Sequence, residues 1–136
     1  MNAVVKRGFA DTPVGQVHYR TARPAGATGS RPLVMFHGSP SSSQSLAREV
    51  ANLAASGVVI AFDTMGQGDS CPPPSADVTF ADYARFYAEA LTSLGPEFDR
   101  VDLFGTHTGA RIAAEFAIGF PERTGKVILD GMRRGP

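Results

Sequence analysis

Three short segments carry residue types whose spacing could do chemistry. The first is Gly105-Thr106-His107-Thr108-Gly109, a histidine set between two glycines. An imidazole can act as a nucleophile or as a general base. Glycines on either side permit a strand-to-helix reversal so sharp that the central side chain projects at the top of a sheet. The amide of the next residue, Thr108, would point into the same space from a helix N-terminus, where developing negative charge is best held. The second segment is His37-Gly38-Ser39-Pro40. Gly38 lets backbone approach a ligand closely, and Pro40 stiffens the turn. It reads either as a loop whose Ser39 N–H is a further oxyanion donor or as a plain strand-to-helix turn. The third, Asp63-Thr64-Met65-Gly66-Gln67-Gly68-Asp69-Ser70, is a tight glycine loop. A dinucleotide fingerprint would need a third glycine where Cys71 stands, and an acidic residue in the right place is missing, so that function is not expected.

The elements that must position these segments follow from apolar patterning. Leu33–Phe36, Val58–Phe62, Val101–Phe104 and Val127–Leu129 are short continuous apolar runs, the pattern of strands buried on both faces. Each of the three segments directly follows one of these runs. Helical patterns lie between them. Ser45–Ser56 is expected to be a helix ending at Gly57 as its C′ residue. Phe80, Tyr83, Ala84, Tyr87, Leu91 and Leu94 recur at helical spacing, with Thr79 and Asp82 placed as a capping box. His107–Phe120 is apolar around most of its circumference and ends before Pro121. Ahead of them, Val4–Phe9 and Val14–Arg20 read as a hairpin turning at Asp11-Thr12-Pro13, and residues 23–32 as a surface loop. The alternation implies an α/β fold with a doubly wound, mostly parallel sheet. One partial domain over 1–136 is expected, with the hairpin in 1–22 and parallel βα units in 31–130. Ligands of such sheets bind beyond the carboxyl ends of the strands, where all three segments lie.

Taken in order, His-Gly-x-Pro, Asp-x-x-Gly-x-Gly-x-Ser and Gly-x-x-x-Gly resemble the α/β-hydrolase family over essentially the whole chain. The form His37-Gly38-Ser39-Pro40 is most similar to the branch holding epoxide hydrolases, haloalkane dehalogenases and related esterases. The resemblance implies eight strands, a mobile cap, and a triad of nucleophile, acid and histidine. It implies oxyanion donors at the amides of Ser39 and Thr108, and an acid at Asp130 in some relatives, where a solvent-facing strand end is the other reading. Two features depart from the family. His107 stands where Ser, Asp or Cys is usual, which leaves three readings open: a catalytic base or nucleophile in unusual chemistry, a ligand-binding lineage that lost hydrolysis, or a substitution without function. The sequence given also stops at Pro136, soon after a sixth strand, so a chain truncated there is expected, with the cap, the last strands and the triad histidine absent. His18, in the hairpin, and His37, expected to bond locally, are not in the triad position.

Composition limits the alternatives. Thirteen Lys and Arg balance thirteen Asp and Glu, so no field of one sign exists to drive nucleic-acid or anionic-membrane binding. Arg133 and Arg134 form only a two-residue basic cluster. A single cysteine, Cys71, excludes an intrachain disulfide and reads as a bystander loop thiol. No leader-like or membrane-spanning apolar run is visible, and a cytoplasmic protein is expected. No cofactor or metal site is identified. The expected function is hydrolysis of an ester or related electrophile, with a small-molecule substrate; the competing one is a non-catalytic ligand-binding or scaffold homologue. An open edge at strand 126–130 and apolar surface beside helix 45–56 predict self-association.

Overall fold

The computed structural model describes residues 3–131; Arg133 and Arg134 lie outside them. Six strands form one sheet in the order β1-β2-β4-β3-β5-β6. β1 (Lys6–Thr12) and β2 (Gly15–Ala22) pair antiparallel, and β2 pairs antiparallel with β4 (Val59–Phe62). β4, β3 (Leu33–Phe36), β5 (Val101–Thr106) and β6 (Thr124–Asp130) run parallel. The register Phe36↔Phe62 and Phe36↔Gly105 brings the ends of β3, β4 and β5 level, so the loops that follow them share one edge of the sheet.

Alternation along the central strands explains the two layers. Val34 and Phe36, with Ile60, Phe62, Val101 and Leu103, face the helices α2 (Phe80–Leu94) and α3 (Thr108–Gly119). Met35, Val59 and Ala61 face the other way, toward Val50 of α1 (Ala47–Leu53). Burial on both faces is why these strands read as unbroken apolar runs. Thr79 caps α2 as expected: its side chain accepts from the Asp82 N–H, and the Asp82 carboxylate accepts from the Thr79 N–H.

Three boundaries differ from expectation. The hairpin turns at Pro13-Val14 rather than Asp11–Pro13, because Thr12 Oγ1 accepts from the Val14 N–H and Gly15 takes a φ of 140°. The expected helix 45–56 is shorter and begins as a 3-10 turn, Ser43–Leu46. Its first turn is tight because the Ser43 N–H is drawn onto the Asp63 carboxylate while Ser42 Oγ accepts from Gln44 N–H. Gly57 is not a left-handed cap; α1 stops four residues earlier, with Ala54 as its cap.

Candidate active site

The turn between β5 and α3 is made at one residue. His107 has φ 53° and ψ −118°, the single positive φ outside glycine among the described residues. Steric conflict disfavours that conformation for a side-chain-bearing residue, so its neighbours must enforce it. Two glycines do so. A Cβ on Gly105 would strike the Gly109 backbone, and one on Gly109 would strike the carbonyls of Phe36 and His37. The His107 N–H donates to the Asp130 carbonyl at 2.8 Å, which ties the turn to β6. The ring is exposed and lies beside Gly38 and Gly131. Among the described residues no side chain hydrogen-bonds to it. With Phe80, Thr108 and Arg111 it lines a cavity of about 120 Å³. The Arg111 guanidinium lies over the Phe80 ring, 4.8 Å from its centroid.

The loop after β3 approaches this turn from the side. The Ser39 N–H donates to Thr108 Oγ1 at 2.8 Å. Gln67, in the loop after β4, holds the same segment twice: its Nε2 donates to Ser39 Oγ at 2.8 Å and its Oε1 accepts from the Ser41 N–H at 3.1 Å. His37 is buried beneath. Its Nε2 accepts from the Thr64 N–H at 2.9 Å, and its Nδ1 lies 2.7 Å from the Gly38 carbonyl. Burial lowers the His37 pKa below the ordinary 6.5, against the opposing pull of the Gly38 carbonyl and Asp63.

Asp63 is the common anchor. Its Oδ1 accepts from the Ser43 N–H at 2.7 Å, and its Oδ2 accepts from the Asp69 N–H at 2.9 Å and faces His18 Nδ1 at 2.8 Å. His18 Nε2 accepts from Arg7 Nε at 2.9 Å, so the imidazole proton sits on Nδ1 and donates to Asp63. The Asp63 carbonyl accepts from the buried Tyr87 hydroxyl at 2.6 Å. Burial by itself would raise the Asp63 carboxyl; the donors from Ser43, Asp69 and His18 outweigh it and hold the pKa below the ordinary 3.8. His18, Asp63 and Asp69 are the one group of three among the described residues with metal-compatible spacing. The Arg7 guanidinium already serves it as a cation, bonding His18 and, at 2.5 Å, Asp69.

The structure thus brings His107, Ser39 and Thr108 together. Asp130 is near in the chain path but exposed, and its Oδ2 accepts from Thr106 Oγ1 at 3.3 Å rather than from His107. Cys71 lies in the loop after β4 with its thiol pKa raised by burial, and its N–H donates to the Gln16 carbonyl. Gln67 and the His18–Asp63 pair were not identified from sequence. Gln67 sits at a variable position of its motif, and His18 meets a partner 45 positions away.

Residues 31–134 match the family model for the alpha/beta hydrolase fold. A 2-hydroxy-6-oxononadienedioate/2-hydroxy-6-oxononatrienedioate hydrolase of Burkholderia vietnamiensis is 35% identical over 124 residues, covering 85% of this chain and 40% of that protein. Among solved structures, the epoxide hydrolase CorEH superposes with a TM-score of 0.84 at 27% identity, over 95% of this chain and 43% of its own. The naproxen esterase of Bacillus subtilis superposes with a TM-score of 0.79 at 25% identity, over 92% and 42%. The chain spans between 29% and 43% of the length of the curated relatives it matches. No helix among the described residues is long and apolar enough to cross a membrane. The family match, the parallel sheet and the three strand-end loops agree that this chain belongs to the α/β-hydrolase fold family.

Proposed function

We propose that this chain forms the front part of a hydrolase acting on an ester or related electrophile, with the β5–α3 turn as its nucleophile elbow. The observation that carries the reading is the backbone of His107. A strained φ of 53° is retained at His107, a residue that lines the cavity beside the start of α3 with Phe80, Thr108 and Arg111. The imidazole serves there as nucleophile, through an acyl-imidazole that water then cleaves, or as base for an attacking water. The Ser39 and Thr108 amides stabilise the oxyanion. The Burkholderia relative is named for a dienedioate, and such a compound belongs in the substrate panel beside p-nitrophenyl esters.

A second reading is supported by the exposed ring's lack of a hydrogen-bonded acid among the described residues, Asp130 being engaged by Thr106. In that reading the site binds a ligand without turning it over. Hydrolysis of the panel by wild type and His107→Ala separates the two. A rate above buffer that disappears in the variant supports the enzyme; equal rates in both support the binding protein. His107→Ser is expected to gain no esterase activity, because an acid–histidine pair is still required to activate the hydroxyl.

A further inference from the structure

We propose that the Thr108 hydroxyl is a built-in occupant of the oxyanion position, which an incoming oxygen must displace. The inference rests on the reading of the Ser39 and Thr108 amides as oxyanion donors. It begins with what the Ser39 N–H does. The Gly38 carbonyl before it is engaged by His37, and Pro40 after it has no N–H. The Ser39 amide instead reaches across the cleft to Thr108 Oγ1, 69 positions away, at 2.8 Å. A bound carbonyl or carboxylate oxygen would accept at that distance too.

The two sides of this contact differ in freedom. Gln67 grips the Ser39 side chain and the Ser41 amide, so the loop is held in place. Thr108 is the first residue of α3, half-buried, and one rotation about χ1 moves its hydroxyl away. The site therefore has a plugged arrangement and an open one, and residue 108 sets their balance. The plug also sorts ligands. A neutral carbonyl oxygen replaces the hydroxyl with little net gain, whereas a charged oxygen forms a stronger, charge-assisted bond. The site then favours a carboxylate, or the oxyanion of a transition state, over the ground-state carbonyl, which is the discrimination catalysis needs.

The test uses acetate as probe at constant ionic strength, followed through the backbone amide resonances of Ser39 and Thr108 in 15N-labelled protein. Thr108→Val keeps the shape and removes the acceptor. With a net hydrogen bond lost from the plugged state, Thr108→Val is expected to bind acetate roughly tenfold more tightly than wild type. Thr108→Ser is expected to match wild type, and Thr108→Ala to follow Thr108→Val if the valine variant does not fold. Equal affinities in wild type and the valine or alanine variant would overturn the plug while leaving the donors in place. No perturbation of the Ser39 amide in any protein would overturn the donor reading and the plug together. Acetate affinities that follow residue 108, in a protein that hydrolyses p-nitrophenyl acetate no faster than buffer, would support the plug while the hydrolase reading fails.

Discussion

His107 holds a conformation that costs on the order of 1–3 kcal/mol for a residue with a side chain. Glycine adopts a positive φ without that cost, so His107→Gly is expected to raise unfolding stability by about 1 kcal/mol while abolishing any His107-dependent hydrolysis. Urea titration checks the first part; a loss of stability would mean that ring contacts at Gly38 and Gly131 outweigh the strain. His37 makes a different prediction. Its folded pKa lies below the ordinary 6.5, so the unfolded chain binds the extra proton first as pH falls. Stability is therefore expected to decline as pH drops below 6.5, and again below 3.8, where Asp63, held low in the fold, begins to take up its proton in the unfolded chain first. Urea midpoints from pH 8 to pH 3 test this, and His37→Gln should flatten the upper step. A midpoint unchanged between pH 7 and pH 5 in wild type would refute the His37 assignment. His107 is legible in sequence because its glycines stand within two positions of it. His18 is not, because a buried histidine announces nothing until its acid is found, and Asp63 arrives from another strand.

Elements were readable to the extent that their burial is local. β3 and β4 are four-residue runs buried almost entirely, and runs this short, bounded by loop residues, suit strands covered on both faces. The Thr79–Asp82 capping box is legible because both partners lie within one turn. The start of α1 is not, since Ser43 is pulled into a 3-10 turn by a carboxylate 20 positions away. The contact between α3 and β3 is likewise non-local, and it leaves no room for a side chain. Gly109 lies against the carbonyls of Phe36 and His37, and Gly109→Ala would force helix and strand apart. Such a variant is expected to lose several kcal/mol, about 3 or more, by overpacking against backbone that cannot yield. Thermal unfolding by circular dichroism measures it, and a Tm within a degree or two of wild type would show that α3 can shift without penalty.

At the scale of the molecule, the sheet is unevenly covered. Among the described residues β5 is the one strand that pairs with β6, and Val127, Ile128 and Leu129 are exposed, with Ile128 at 58%. Beside it, Leu33, Leu53, Val59 and Ile128 line a groove of about 270 Å³ between α1 and the sheet. An unpaired edge next to an apolar face is a template for another chain. This chain on its own is therefore expected to self-associate, with a light-scattering mass at least twice the monomer after size exclusion, and Ile128→Lys is expected to shift it toward the monomer. A monodisperse wild-type monomer would sink the idea. The Asp63 anchor has a consequence of another kind. The β1–β2 hairpin lends no side chain to the cavity around His107, yet through His18 it fills one side of the carboxylate that also fixes Ser43 and the Asp69 loop. A chain begun at Ser30 would retain every strand-end loop and lose their shared fastening, leaving a buried charge half-served. The hairpin is thus no detachable ornament of the sheet. Any effort to shorten, graft or recombine this protein inherits an obligation between the hairpin and a cavity that its side chains do not line.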